Sequence, residues 1–243
     1  MRALSAQDIA RLVDWGLDKH PVDRSLAALR LALPDGAPEA LAAMPLGRRN
    51  QLLLELRALT FGPELEIQVQ CPQCDERLEF EAPVAVFQVP CAATSEPLER
   101  EFEGRTLRYR VATSEDAAAV AELEDQVEAR AVLQARLLLG VDGEPPETPL
   151  DEELAAALTQ ALDEADPAAD VTFPIGCSVC GYDWYVPFDS PSFFWAEAND
   201  YARRLEVQVD RLARAYGWSE EQILRMSESK RARYLRHASG DDE

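Results

Sequence analysis

The stretch "CPQCDERLEFE", Cys71 to Glu81, decides how the rest of the chain is read. Two cysteines two residues apart run straight into an alternating segment with Leu78 and Phe80 between charged residues. Such a pair is one knuckle of a zinc ribbon, and a tetrahedral zinc ion takes four ligands. The preceding residues, ELEIQVQ, alternate as well, with Leu65, Ile67 and Val69 on one face, so the local shape is strand, knuckle, strand. The complement lies far downstream. VTFPIGCSVCGYDWYVPFD repeats the pattern around Cys177 and Cys180.

Cys71, Cys74, Cys177 and Cys180 therefore form the expected ligand set for one structural Zn2+ per chain. Four thiolates close the coordination sphere and leave no position for water or substrate. Pro72 stiffens the first turn, and Gly181 gives the second a permissive backbone; Asp75, at the equivalent place in the first knuckle, is expected to take left-handed geometry less readily. A thioredoxin-type redox pair is the competing reading. It needs a cysteine pair at a helix N-terminus, and these pairs lie between strands. The interval between the knuckles far exceeds the usual linker of about 15–20 residues. Closing a long loop is tolerable because its entropy grows only logarithmically with length. Cys91 is left over and reads as a small buried hydrophobe.

Outward from the ribbon the period becomes helical. Ser5 and Asp8 form a capping box for a helix carrying Ile9, Leu12, Val13 and Leu17, which His20-Pro21 breaks. A second helix runs to about Leu33, with Leu26, Leu29 and Leu33 on one face, and Pro34-Asp35-Gly36 turns the chain. Pro45 opens a third, with Leu52, Leu53, Leu56 and Leu59 inward, and Gly62-Pro63 stops it. After Pro90, EREFEGRTLRYRV predicts a hairpin turning at Glu103-Gly104. Thr113 to Asp116 caps one long helix from Asp116 to about Leu138. VDGEPPETP reads as a flexible loop. Thr148 caps and Pro149 opens another helix, with Leu150, Leu154, Leu158 and Leu162 four apart. The C-terminal part carries one sustained stripe, Trp195, Ala198, Tyr201, Leu205, Val209, Leu212 and Tyr216, ended by Gly217. Ser219 and Gln222 box a short helix, and Ser227 caps the last.

The predicted fold class is α+β: helical N- and C-terminal segments around a split four-Cys zinc ribbon with small antiparallel strands. The expected layout is a helical segment over 1–63, the ribbon over 64–90 and 171–190, an acidic inserted hairpin plus helices over 91–170, a helical segment over 191–238, and a disordered tail over 239–243.

With 45 acidic against 24 basic residues, the 243-residue chain has a net charge of −21. Such a surface repels nucleic acid and anionic membrane. No run of about 18 apolar residues exists to cross a bilayer, and Asp8, Arg11 and Asp14 interrupt any signal-like core, so a bacterial cytoplasmic location is expected. Val141 to Asp170 holds no Lys or Arg and reads as a solvated acidic face. No phosphate loop, dinucleotide fingerprint or nucleophile elbow is present. His20 and His237 lie near opposite ends, so no enzyme and no small-molecule substrate are expected. The one basic region is the C-terminal helices.

Three stretches together carry a resemblance: LGRRNQLLLELRALTFGPELEIQVQCPQCDERLEFE, CSVCGYDWYVPFD, and LARAYGWSEEQILRMSESKRARYL. They resemble the baseplate hub assembly chaperone family of T-even-like phages and its zinc-ribbon relatives in contractile tails and contractile injection systems. Gly47, Arg48, Arg49, Leu53, Leu56, Arg57, Phe61 and Gly62 match that pattern, as do Cys71, Pro72, Cys74, Cys177, Cys180, Tyr216, Trp218, Ser219 and Ile223. Asp75 departs from its Gly. The resemblance implies a non-enzymatic baseplate component or assembly factor, found in the cytoplasm or incorporated in an assembled particle, whose partners are other baseplate, hub or spike proteins. Arg48, Arg49, Arg203, Arg204, Arg211, Arg214, Trp218 and Arg225 are then the candidate partner surface. A zinc-ribbon nucleic-acid-binding or transcription accessory protein is the alternative.

Overall fold

The computed structural model describes residues 1–146 and 149–239. Helices α1 (Ala6–Gly16), α2 (Pro21–Ala32), α3 (Pro38–Ala42) and α4 (Leu46–Phe61) come first. The Ser5–Asp8 capping box forms as expected, and the His20 ring accepts the Val22 amide at the start of α2. Strands β1 (Glu64–Gln70) and β2 (Arg77–Pro83) make one antiparallel hairpin, and β6 (Val171–Gly176) and β7 (Asp183–Phe188) another. Between them lie β3 (Leu98–Phe102), β4 (Arg105–Tyr109), α5 (Ser114–Ala119), α6 (Gln126–Leu137), β5 (Leu138–Val141) and α7 (Glu152–Ala165). The chain ends in α8 (Ser190–Tyr216), α9 (Glu220–Leu224) and α10 (Glu228–Ser239). The class is α+β, with small antiparallel sheets among helices.

Three apolar clusters hold these elements. The first joins α1, α2, α3, α4 and the start of α8 through Ile9, Leu12, Leu29, Leu53, Leu56 and Phe194. The second lies between the β3-β4-β5 sheet and α7, around Leu107, Leu138, Leu154 and Leu158. The third fills the space between the two hairpins with Leu65, Ile67, Phe87, Val171 and Phe188. Phe87 stacks on Phe188 at 4.1 Å between centroids and meets Phe173 edge-on at 5.2 Å. Each such ring buried adds roughly 2–3 kcal/mol.

Helix α4 belongs to two clusters at once. Leu52, Leu53 and Leu56 face the helices, whereas Leu54 faces the hairpins. Such a helix is buried nearly all round, and residues 49–54 are all buried. The single inward face predicted for it is corrected accordingly, and Leu59, expected inside, is 53% exposed.

Other corrections follow from competition between local and distant contacts. The long helix expected from Asp116 to Leu138 is two. The Thr113–Asp116 capping box starts α5, which ends at Ala119, and Asp125 accepts the Val127 amide to start α6 afresh. The chain from Leu138 to Val141, where the expected helix ends and the expected loop begins, is strand β5, paired with β4. Short α3 was not anticipated. The hairpin turn forms where expected, with positive φ at Glu103 and Gly104. Helix α7 begins at Glu152 under an Asp151 cap rather than at Pro149. Thr148 lies outside the described residues, as do residues 240–243 of the predicted tail; Ser239, placed in that tail by the sequence, ends α10. Among the described residues no helix is long and apolar enough to cross a membrane.

Candidate metal centre

The two knuckles repeat one backbone design. In the first, the Cys71 amide donates to the Glu76 carbonyl at 2.8 Å and the Asp75 amide to the Cys71 carbonyl at 2.9 Å. In the second, Cys177 donates to Tyr182 at 2.8 Å and Gly181 to Cys177 at 2.9 Å. Both turns need a left-handed residue in the same place, supplied by Asp75 (φ 59°) and Gly181 (φ 73°). Asp75 thus takes the glycine conformation after all; a short polar side chain is among those that visit it.

The β1-β2 and β6-β7 hairpins bring the knuckle tips together. Cys71 Sγ lies 3.7 Å from Cys180 Sγ, and Cys74 Sγ lies 3.7 Å from Cys177 Sγ. All four sulfurs are within 4.8 Å of one another. A tetrahedral ion with Zn–S distances of about 2.3 Å sets its sulfurs about 3.8 Å apart, so the donor set fits. Cys71 and Cys177 are buried, and Cys74 and Cys180 face outward. The backbone N–H groups of Cys180 and Val179 hold the Cys177 thiol down to about 7. The Glu76 amide pulls Cys74 the same way, but burial and the three neighbouring sulfurs push it up to about 12. A divalent cation would bind all four as thiolates and displace the protons that such a crowded set otherwise holds. Cys91 is half-buried and outside the cluster.

The arginines expected at a partner surface fall into four groups. Arg48 is exposed, 3.9 Å from Glu55. Arg49 is corrected: it is 7% exposed, with Nη2 donating to Asn50 at 2.9 Å and Nη1 to Ser114 at 3.4 Å. Burial pushes its guanidinium below the usual range, with the Asp189 charge opposing. It sits on the inner side of α4 and presents nothing to a partner. Arg203, Arg214 and Arg225 pair within their own helices with Asp200, Asp210 and Glu221. Arg204 lies over Tyr201, and Arg204 and Arg211 are exposed. Trp218 stacks on Tyr216 at 4.5 Å and meets Tyr234 edge-on at 4.8 Å, tying α8 to α10.

Sequence reasoning missed the buried polar residues around α4. Asn50 Nδ2 donates to the Ala168 and Ala169 carbonyls at 3.1 and 3.2 Å, and Gln51 Nε2 to the Phe87 carbonyl at 3.2 Å. The Asp166 carboxylate accepts the amides of Gly47 at 2.9 Å and Ala92 at 2.8 Å. Arg57 grips Glu197 with two bonds of 2.7 and 2.6 Å. The signal available was the polar run at 47–51 in a helix that otherwise reads as apolar.

The fold and centre define a class: a helix-wrapped α+β scaffold whose four-thiol site is assembled from two distant hairpins. Residues 32–136 match the family model described as T4 bacteriophage base plate protein, which supports a phage baseplate protein family for this chain. The match takes in α4 and the first knuckle, covers less than half of the 243 residues, and stops before Cys177. No curated protein and no solved structure matches the chain.

Proposed function

We propose that this chain is a non-enzymatic component or assembly factor of the baseplate of a contractile phage tail or phage-tail-like injection system, and that a structural zinc ion stabilises it. The observation that carries the role is the baseplate family match over 32–136. The fit of four converging sulfurs to a tetrahedral ion supports the metal. Cys71, Cys74, Cys177 and Cys180 would hold the ion, and its chemistry there is cross-linking: with four thiolates bound it offers no site to a substrate. The protein's own residues do the rest. Phe87, Phe173 and Phe188 set the hairpins face to face, and α4 carries that unit on the helical core.

Arg48, Arg203, Arg204, Arg211, Arg214, Trp218 and Arg225 remain the proposed contact region for other baseplate, hub or spike proteins. Arg204 and Arg211, exposed and without an ion pair among the described residues, favour it most. Synthesis in the bacterial cytoplasm followed by incorporation into the particle fits this role. The hub assembly chaperone subtype is the finer form of the proposal, resting on the motifs of the sequence alone.

Deletion of the gene from a particle-producing strain tests the role. The expected result is the loss of complete baseplates by electron microscopy, restored by the wild-type gene. Intact, infectious or contractile particles in the deletion strain would remove the proposal.

A further inference from the structure

Helices α1 and α2 leave an open groove of about 530 Å3 between them. Its floor is apolar: Leu12, Ala27, Leu31 and the ring of Trp15. Trp15 is 47% exposed, although a side chain of that size is usually covered. The rim is basic. Arg11 stands on the α1 side and Arg30 on the α2 side, both exposed and neither engaged in an ion pair among the described residues. Arg2 also reaches the groove, but its guanidinium is 2.7 Å from Asp8 and already neutralised. No Asp or Glu lines the groove. In a chain with nearly twice as many acids as bases this is a local reversal of the surface charge.

We propose that this groove docks an amphipathic helical segment of a partner protein, with apolar side chains along one face and acidic side chains flanking them. The apolar ridge fills the floor over Trp15 and Leu31, and the flanking carboxylates meet Arg11 and Arg30 on opposite walls. This is the helix-in-groove mode, in which apolar anchors give affinity and rim charges fix orientation. The net charge of −21 does not prevent it. Acids beyond a Debye length of about 8 Å are screened at physiological salt, whereas the two guanidiniums are in direct reach. A second copy of the chain is the poorer occupant, because its acidic amphipathic helix α7 already buries its apolar stripe against the β3-β4-β5 sheet. The inference rests on the groove itself and stands apart from the baseplate role.

The test uses the full chain and two fluorescent helical peptides with the same leucine ridge, one flanked by glutamates and the other by glutamines. Fluorescence anisotropy should show the glutamate peptide binding about tenfold tighter than its twin. Arg11→Gln/Arg30→Gln should erase that preference, and Trp15→Ala should weaken both peptides. Because the three side chains are exposed, thermal melts by circular dichroism should be unchanged. Equal binding of the two peptides, no binding of either, or a preference that survives the double variant would overturn the proposal. So would a homodimer in light scattering that Trp15→Ala dissolves, since the groove would then belong to a second copy.

Discussion

The carboxylate of Asp166 sits directly over the α-carbon of Gly47. A methyl group at position 47 would meet Asp166 Oδ1 at 2.1 Å and the Ala168 methyl at 2.9 Å. Glycine is therefore required here by closeness to a buried acceptor, not by backbone angle. Gly47→Ala should lower stability by about 1–3 kcal/mol despite alanine's better helix propensity. Asp166→Ala should cost about as much, because it leaves the amides of Gly47 and Ala92 without their acceptor. Urea melts of both variants check this; an unchanged or raised midpoint for Gly47→Ala would contradict the packing.

Elemental analysis of purified protein should give one zinc per chain. Cys177→Ser should abolish it, and a strong chelator should lower the thermal midpoint of the wild type but not of the variant. Falling pH should release the metal as protons compete for the thiolates. Protein that melts identically with and without chelator would contradict the structural role.

Asp116 is fully buried and accepts two bonds from Arg110, of 2.6 and 2.8 Å, and one from Arg136 of 2.8 Å. Burial pushes its carboxyl up, but the hydrogen bonds of Arg110, the Thr113 amide and Arg136 outweigh this and hold it well below the usual range. Asp8 behaves alike: burial raises it, and Arg2 and Ser5 bring it from 3.8 to about 2. Folded values below unfolded ones mean stability that is complete above about pH 4 and lost as pH falls. Asp116→Asn should cost about 3 kcal/mol at neutral pH, by leaving two guanidiniums without their anion, and should flatten the acid limb between about pH 4 and 2. A pH series of urea melts on both proteins measures the difference.

Arg57 is 5% exposed at its side chain, holds Glu197 with two parallel bonds and donates to the Gly62 carbonyl at 2.6 Å. Lysine keeps the charge but cannot make the fork. Arg57→Lys should destabilise the α4–α8 contact by about 2 kcal/mol. Hydrogen exchange localised to α8 near Glu197 is the readout, and exchange indistinguishable from wild type would show that the fork is not needed.

What the sequence revealed was local. The CxxC spacing between alternating runs located all four thiols, and the serine caps and Gly217 located helix ends, because these signals are written within a few residues. What it concealed depended on distant partners. Leu138 to Val141 extends an Ala- and Leu-rich helical run, and only pairing with β4 makes it a strand. Arg48 and Arg49 look alike in sequence, yet one turns outward and the other inward, since α4 has buried neighbours on two sides. The packing of Trp218 between Tyr216, stacked on it, and Tyr234, met edge-on, joins helices α8 and α10 and was equally out of reach of the sequence.

The separation of the two knuckles also governs timing during synthesis. Cys74 and Cys177 are 103 positions apart, and a ribosome adding about 5–20 residues per second needs several seconds to make the interval. Throughout that delay the nascent chain displays a lone pair of thiols that cannot close a tetrahedral shell. On the proposed zinc reading, the ion can be captured only after the second knuckle has been made, and an interrupted product stays without that cross-link.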